Sequence, residues 1–395
     1  MSQKTRTIID TVGGIYTETM DIEGVFAGPR GTIPYRVTKR RLHGGKRDGI
    51  DLIEVNNGCL TLYIIPTRGM SLWRGRCGDV EMKWNTPLDG PVHPALVPIF
   101  DPSGLGFLEG FDEWFVRCGL ESNGAPEFTE SGVLKYPLHG RIANLPAKNV
   151  QVTVDDETGV ISVTGIVEEA RLFGRRLTLT VTYTTCVGTS QFTVHDSVTN
   201  QASTPDQFQL LYHINTGMPF TGPGAKAVIP YEEMAPRNED AVAQYENWNV
   251  YKAPEAGKPE SCFYFDLAAE ADGNTRVMLV NTSGDRGIAF GFNKKQIPHF
   301  VLWNLEHPDG DTYVSGMEPC MNFPNTHSYE VAHHRVIPLA PGETRAWDIH
   351  VEILRTPEEI EKVDRYIQQL QSNARGKVWA NPKPGWSSEG DAYSD

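Results

Sequence analysis

Four consecutive segments of alternating apolar and polar residues most constrain how this chain of 395 residues can fold. Between residues 150 and 200 they are VQVTVD, GVISVTGIV, RLTLTVTYTT and SQFTVHDSVTN. Alternation with many β-branched side chains is typical of strands that place one face on a core. Further strands are predicted at TRVMLVN, GIAFGF, HFVLWN, YEVAHHRVIPL and RAWDIHVEIL. Many strands at short spacing predict an all-β fold, a large antiparallel β-sandwich.

One segment near the C-terminus has a helical pattern instead. In TPEEIEKVDRYIQQLQ, residues 356–371, Thr356 is a candidate N-cap, Pro357 occupies the first helical position and Glu359 follows as in a capping box. The apolar stripe of this helix consists of Ile360, Val363, Ile367 and Leu370.

We therefore predict a single β-sandwich domain over residues 1–355 and a C-terminal helix with a loosely held tail over residues 356–395. The domain begins with N-terminal strands in residues 1–58 and contains an insert at residues 88–132. The insert is rich in Pro, Gly, aromatic and acidic residues. A long loop of this kind in a compact domain is typical of a binding or lid element.

Charge and cysteine usage limit the partners and the compartment. The chain has 36 Lys and Arg against 50 Asp and Glu, a formal net charge of −14. This charge excludes nucleic acid and anionic membrane as main partners, because both need a basic surface. The six cysteines form no CxxC pair, MSQKTRTIID lacks the apolar core of a signal peptide, and no stretch reaches the roughly 18 apolar residues of a membrane span. We expect a cytoplasmic protein with reduced thiols, and whether it forms a homodimer is left open.

The stretch QLLYHINTGMPF, residues 209–220, sets one histidine and one asparagine into an apolar run. In an extended strand, His213 and Asn215 share a face with Gln209 and Leu211. The opposite face carries Phe208, Leu210, Tyr212 and Ile214. Such a strand fits a sheet that packs a core behind it and lines a polar pocket in front. A histidine in an apolar run is also commonly structural, so this stretch alone assigns no catalyst.

Two other stretches carry functional groups beside Gly or Pro. In YPLHGRIANLPA, residues 136–147, His139 and Arg141 share a face if the chain is extended. In YVSGMEPCMNFP, residues 313–324, Glu318 shares a face with residues 314, 316 and 320. Two histidines and a glutamate can bind a metal or act as acid and base, and sequence spacing leaves both interpretations open. The sequence has no GxGxxG after a strand, P-loop, HExxH or GxSxG, and we predict no cofactor and identify no metal site.

The order of these motifs resembles a known superfamily. LHG, a YHIN strand and a late Glu in GMEP are similar to the galactose mutarotase (aldose 1-epimerase) superfamily. TRGM, CGL, LHGRIANLPA, YHINTG, MEP and the closing IPLAPGETRAWDIHVEI resemble its aldose 1-epimerase-like branch of the DUF4432 type, over about residues 50 to 354. The resemblance implies a galactose mutarotase-like supersandwich, with a small-molecule carbohydrate bound on the concave face of one sheet.

The resemblance also implies roles for individual residues. Glu318 is the expected base that removes the proton of the anomeric hydroxyl, and His213 is the acid that protonates the ring oxygen. His139 is a second catalytic histidine that binds or polarises the sugar. The expected sugar-binding residues are Arg68, Arg141, Asn215, Asn123 and Trp303, with Trp84 as an alternative stacking residue.

The expected function is a carbohydrate epimerase of the aldose 1-epimerase type, which interconverts the anomers of a sugar or sugar derivative by acid-base catalysis. Two other functions stay open at this point. One is another sugar-active isomerase or lyase on the same fold, with or without a metal. The other is a carbohydrate-binding protein without catalysis. The aspartate that helps to fix the sugar in mutarotases has no obvious counterpart in residues 221–261.

Overall fold

The computed structural model describes residues 3–28, 31–308, 310 and 312–393. Two large sheets, of ten and fourteen strands, account for most of these residues. Their apolar side chains share one extensive core cluster, so the sheets pack face to face. All described strand pairs except one are antiparallel. The predicted fold, a large antiparallel β-sandwich, is confirmed, whereas the division into one domain and a tail stays a prediction.

The strands of the first half of the chain are β1 Gln3–Asp10, β2 Ile15–Tyr16, β3 Met20–Gly28, β4 Gly31–Arg41, β5 Asp51–Asn56, β6 Leu60–Ile65, β7 Ser71–Cys77, β8 Val80–Met82, β9 Phe115–Leu120, β10 Glu127–Phe128, β11 Leu134–Tyr136, β12 Ala147–Asp155, β13 Val160–Ala170, β14 Arg176–Cys186 and β15 Gln191–Asn200. Those of the second half are β16 Asp206–Thr216, β17 Lys226–Val228, β18 Tyr231–Pro236, β19 Ser261–Leu267, β20 Asn274–Val280, β21 Gly287–Asn293, β22 His299–Glu306, β23 Tyr313–Cys320, β24 Ile337–Leu339, β25 Thr344–Leu354 and β26 Lys377–Val378. The α-helices are α1 Glu239–Val242, α2 His327–Ala332, α3 Pro357–Ser372 and α4 Ser388–Asp391.

The order of strands determines which side chains meet. The ten-stranded sheet runs β17-β20-β21-β25-β15-β14-β13-β12-β1-β2. The fourteen-stranded sheet runs β26-β18-β19-β22-β23-β16-β9-β7-β6-β5-β4-β3, with β8 beside β7 and β24 beside β16. Strand β16 therefore lies between β23 and β9, near the middle of the larger sheet.

The two faces of β16 pack against different layers, as the alternation predicted. Phe208, Leu210, Tyr212 and Ile214 belong to the core between the two sheets. Leu211, on the other face, belongs to a second apolar cluster with residues of β9, β19, β22 and β23. We call this second cluster the pocket layer; it contains Val116, Cys118, Cys262, Tyr264, Val301, Val314, Cys320 and Phe323.

Two predictions about local structure were wrong. The segment YEVAHHRVIPL is not one strand, because α2 ends in a turn where His334 has φ of 56° before the short strand β24. The insert at 88–132 is not a simple loop, since it contains β9. Every residue of β9 is buried, so its sequence lacks the alternation that marks a half-exposed strand.

The tail after α3 makes specific contacts with the sheet and with Phe323. Strand β26 pairs in parallel with β18. The Nε1 atom of Trp379 donates to Glu233 at 2.9 Å. The Trp386 ring packs 5.2 Å from the ring of Phe323. These two indole side chains contact the domain from a segment whose polar composition predicts a loosely held tail.

Helix α3 follows its prediction closely. Glu359 donates its backbone N–H to the Thr356 hydroxyl at 3.3 Å, and its carboxylate accepts from the backbone N–H of Arg355 at 2.7 Å. The four stripe residues are buried. Among the described residues, no helix is both long and apolar enough to cross a membrane.

Candidate active site

A cavity of about 310 Å³ opens on the pocket-layer side of the fourteen-stranded sheet. The sheet and its adjoining loops contribute His213, Arg237, Glu260, Cys262, Trp303 and Glu318. The insert and the segments beside it contribute Leu105, Leu108, Phe111, Ala125, Pro126, Leu138, His139 and Pro324. The three residues predicted to be catalytic, from three distant parts of the sequence, therefore line one cavity.

The register of β16 and β23 brings His213 to Glu318. Ile214 pairs with Met317 and Asn215 with Gly316. The same register places His213 opposite Glu318, and both side chains face the cavity. His213 Nε2 and Glu318 Oε1 lie 3.1 Å apart, and both side chains are nearly inaccessible to solvent. Their alignment does not make a hydrogen bond. Glu318 Oε1 and His213 Nδ1 have no hydrogen-bond partner among the described residues.

The absence of a side chain at Gly316 makes this contact possible. A Cβ atom there would collide with Glu318 Oε1 and would lie 3.2 Å from the His213 ring. Gly316 is buried in β23 between Asn215 and Trp303 on the neighbouring strands. The glycine of the GMEP motif thus leaves the space in which the carboxyl and the imidazole meet.

Burial shifts the pKa values of the pair in opposite directions. It raises the pKa of Glu318 well above its ordinary value, and the charge of Glu260 raises it further. It lowers the pKa of His213 well below its ordinary value, and the neighbouring His139 lowers it further. Both shifts favour the form in which one proton resides on Glu318 and the imidazole is neutral. The pair can therefore hold and pass one proton without a net charge in the cavity.

His139 lies beside this pair in a fixed orientation. Its ring centroid is 5.5 Å from that of His213. Its Nδ1 atom lies 2.8 Å from the backbone carbonyl of Asn123, and burial lowers its pKa. The chain is not extended here, because His139 has φ of 59° and a 3-10 turn, Ile142–Asn144, follows. The strained turn aims the imidazole, and not Arg141, into the cavity.

Trp303 is the predicted sugar-binding residue that does line the cavity. Its ring centroid is 5.2 Å from that of His213. Its Nε1 atom donates to Glu260 Oε2 at 2.7 Å. Arg237 donates to the other oxygen of Glu260 at 2.9 Å. Glu260 and Arg237 could not be identified from the sequence, since both lie in residues 221–261, where no periodicity marks an element.

The structure does not bring Arg68 to the cavity. Its side chain is fully buried and pairs with Glu113. The guanidinium also donates to the backbone carbonyls of Val92 and Gly110 and to the side chain of Asn144, at 2.8–2.9 Å. All of its nitrogen atoms are thus used within the protein, and its binding of sugar stays an untested prediction. It holds the insert to the sheet.

The other predicted binding residues also lie outside the cavity lining. Asn215 is buried and donates to the backbone carbonyl of Glu113 at 2.9 Å. Asn123 bonds to Asn322 through its side chain and holds His139 through its carbonyl group. Arg141 packs over the ring of Phe100. Trp84 donates to the carbonyl of Glu113 at 3.1 Å and packs on Phe111. None of these side chains lines the cavity, and their direct contact with sugar stays a prediction.

Within the described ranges, no three His, Cys, Asp or Glu side chains are arranged to hold a metal ion. The cavity thus offers acid-base groups and a tryptophan face. Such a set can move a proton between two oxygen atoms of a bound ring.

Comparison with known proteins gives one family and several solved structures. The family model described as "Domain of unknown function (DUF4432)" matches residues 47–353. No curated protein sequence matches the chain. A "putative aldose 1-epimerase" from Klebsiella pneumoniae is 29% identical, with a TM-score of 0.91, over 96% of this chain and 99% of that chain.

Two more distant structures share the fold alone. A galactose mutarotase-like protein from Clostridium acetobutylicum is 14% identical, with a TM-score of 0.52, over 78% of this chain and 96% of that chain. A galactose mutarotase related enzyme from Lactobacillus acidophilus is 14% identical, with a TM-score of 0.52, over 77% and 98%. The predicted family resemblance is confirmed. The range matched by the family model includes every residue that lines the cavity.

Proposed function

The chain belongs to the DUF4432 family and has a galactose mutarotase-like fold, and from this premise we propose that it is a carbohydrate epimerase of the aldose 1-epimerase type. Its substrate is a sugar or sugar derivative with a free anomeric hydroxyl. The observation that carries the proposal is the contact of 3.1 Å between His213 and Glu318 in a cavity of suitable size for a small ligand.

The proposed reaction conserves the one proton of the pair. In the reacting form, Glu318 is a carboxylate and His213 an imidazolium, which differs from the resting form only in the position of one proton. Glu318 takes the proton of the anomeric hydroxyl while His213 gives its proton to the ring oxygen. The bond between the ring oxygen and the anomeric carbon breaks, and rotation about the neighbouring carbon bond exposes the other face of the aldehyde. Ring closure with the reverse transfers gives the other anomer and restores the pair.

Other side chains of the cavity support this chemistry. His139 is positioned beside His213 and can donate to or accept from a sugar hydroxyl. The Trp303 ring offers an apolar face to the C–H groups of a sugar ring. Glu260 raises the pKa of Glu318, which makes Glu318 a stronger base, and it is a second carboxylate available to hydroxyl groups. It can serve as the sugar-fixing carboxylate that the sequence did not identify.

Anomer exchange measured by NMR across a panel of free aldoses tests the proposal. Wild type should accelerate exchange of at least one sugar, and Glu318→Gln should lose the acceleration. Glu109→Gln is the matched control, because Glu109 is exposed in the insert and does not line the cavity. Binding of sugars by wild type with no acceleration for any of them would overturn the proposal and favour a binding protein.

A second candidate is an isomerase that abstracts a proton from carbon next to a carbonyl group. The raised pKa of Glu318 supports it, since such a proton needs a strong base. The two reactions are distinguishable in D₂O. Anomer exchange leaves every C–H bond of the sugar intact, whereas the isomerase replaces one carbon-bound hydrogen by deuterium. Deuterium in the product would favour the second candidate over the first.

A further inference from the structure

The cavity has two chemically different walls. The sheet side carries the ionisable side chains and Trp303. The insert contributes only apolar side chains to the cavity, and together with a residue just beyond it these are Leu105, Leu108, Phe111, Ala125, Pro126 and Leu138. We call this the apolar wall. Leu105 and Leu108 are 44% and 47% exposed, so they present apolar surface at the mouth of the cavity.

The backbone of the apolar wall offers few donors to a ligand. Pro126 has no N–H group. Three other N–H groups are already donated within the protein: Leu108 to the carbonyl of Leu105 at 3.0 Å, Ala125 to that of Pro324 at 3.1 Å, and Leu138 to that of Gly104 at 2.9 Å. A sugar hydroxyl that points at this wall would find no side-chain partner and no N–H partner at these positions. Burying such a hydroxyl is unfavourable.

The charges of the cavity disfavour an anionic ligand. Among its described lining residues, Arg237 is the single Lys or Arg side chain, and Glu260 already pairs with it. Glu318 holds the proton of its pair with His213, so neither of these residues adds a positive charge. A phosphate or carboxylate group on the ligand would meet no unpaired cation and would lie near acidic groups.

We propose that the substrate is an uncharged deoxy sugar, which presents a methyl or methylene group in place of a hydroxyl to the apolar wall. This inference rests on the proposed function for the reacting end of the sugar. A carbon without oxygen needs no hydrogen-bond partner and gains by covering the apolar wall. An apolar pocket discriminates against an added hydroxyl by up to about 10²-fold. The expected preference is therefore on the order of 10-fold to 100-fold in kcat/KM.

Matched pairs of sugars that differ in one hydroxyl test the proposal: L-fucose with L-galactose, L-rhamnose with L-mannose, and 2-deoxy-D-glucose with D-glucose. Anomer exchange of each is measured with wild type. In at least one pair the deoxy sugar should be favoured at least about 10-fold. Equal or better use of the hydroxylated sugar in all three pairs would overturn the proposal, as would a preference for glucuronate or glucose 6-phosphate.

Variants of the apolar wall identify the cause of the preference. Leu105→Asn and Leu108→Asn place hydrogen-bonding groups on partly exposed side chains, so both variants should fold. The preference for the deoxy sugar should shrink toward equality. Leu96→Asn is the matched control, because Leu96 is 55% exposed in the same insert but does not line the cavity. An unchanged preference in both wall variants would overturn the proposal.

Binding measurements separate this proposal from the proposed function. Calorimetric titration of Glu318→Gln with each sugar pair reports affinity without turnover. Tighter binding of the deoxy sugar, together with no anomer exchange by wild type, would uphold the substrate class and overturn the epimerase. Anomer exchange without any preference for the deoxy sugar would uphold the epimerase and overturn the proposed substrate class.

Discussion

The two faces of β16 bury polar side chains in opposite ways. On the core face, Tyr212 donates to Asp196 at 2.7 Å and accepts from the indole of Trp347. Arg117 of β9 donates to both oxygens of Asp196, at 2.5 and 3.0 Å, and to the hydroxyl of Tyr183. His213 follows Tyr212 in β16 and points to the cavity face, where it meets Glu318 of β23. Each of these two side chains keeps a buried atom without a hydrogen-bond partner among the described residues.

This difference separates polar groups that serve the fold from groups available to a ligand. Buried polar groups in proteins are nearly always paired, because an unpaired one costs free energy. The network around Asp196 meets this requirement with protein atoms alone. The atoms that His213 and Glu318 leave unpaired can instead be satisfied by the oxygens and hydroxyls of a sugar.

Removing the base should give the largest effect and should act on the cavity face alone. Glu318→Gln should lower the rate of anomer exchange on the order of 10²–10⁴-fold, because the amide cannot accept the proton of the anomeric hydroxyl. Its urea unfolding midpoint near neutral pH should stay at or above that of wild type, since the amide replaces a buried neutral acid. A variant that loses stability instead would assign Glu318 a structural role.

Breaking the hydrogen-bond network around Asp196 on the core face should mainly lower the stability of the fold. Arg117→Met leaves Asp196 as a buried charge without its partner and should lower the free energy of unfolding by about 3–5 kcal/mol. Urea denaturation measures the loss. The double variant Arg117→Met with Asp196→Leu is the control and should recover part of it, because both charges are then removed. A loss below about 1 kcal/mol would contradict the assignment of this network to the fold.

Filling the space at Gly316 should disturb the cavity face without removing a functional group. Gly316→Ala pushes Glu318 away from His213, and a misplacement of about 1 Å can cost on the order of 10²-fold in rate. Gly291→Ala in β21 is the matched control, because the nearest atom to its added Cβ lies at 3.6 Å. Equal rates for the two variants would show that the contact between Glu318 and His213 is not needed.

The smallest effect concerns the pH dependence of stability. The pKa of Glu318 is raised by burial, so its contribution to stability is complete below the unfolded value of 4.5 and is lost as pH rises through its folded pKa. The lowered pKa of His213 acts in the opposite direction, with a contribution lost as pH falls below 6.5. Because His213 is present in both proteins, wild type should lose up to about 1.4 kcal/mol per pH unit relative to Glu318→Gln as pH rises above 4.5. Parallel stability curves for the two proteins as pH rises from 4.5 would contradict the pKa shift.

The alternation of apolar and polar residues predicted the sandwich, and the order of motifs predicted the three central side chains. Both signals can be read from short stretches of sequence. The period of two in β16 placed His213 opposite Tyr212, and the motifs joined it to His139 and Glu318. The roles of Arg68 and Asn215 could not be predicted in this way. Whether an arginine binds sugar or a buried glutamate depends on which distant segment folds over it, and here that segment is the insert.

Strand β9 was missed for a related reason. It is buried on both faces, so no polar residues alternate along it, and the Pro- and Gly-rich sequence around it predicts a loop. Glu260 was missed because it lies in a connection whose position depends on the strands at both of its ends. In both cases the information lies in packing between distant segments and not in the local pattern of residues.

The presence of β9 within residues 88–132 has a consequence for how this protein can be changed. The segment that supplies most of the apolar wall also supplies a strand next to β16 in the middle of the larger sheet. Deleting or exchanging it whole would remove the neighbour on which His213 depends. New specificities are therefore accessible through single substitutions at the tips of this segment, such as positions 105 and 108, and not through the transplantation of a loop.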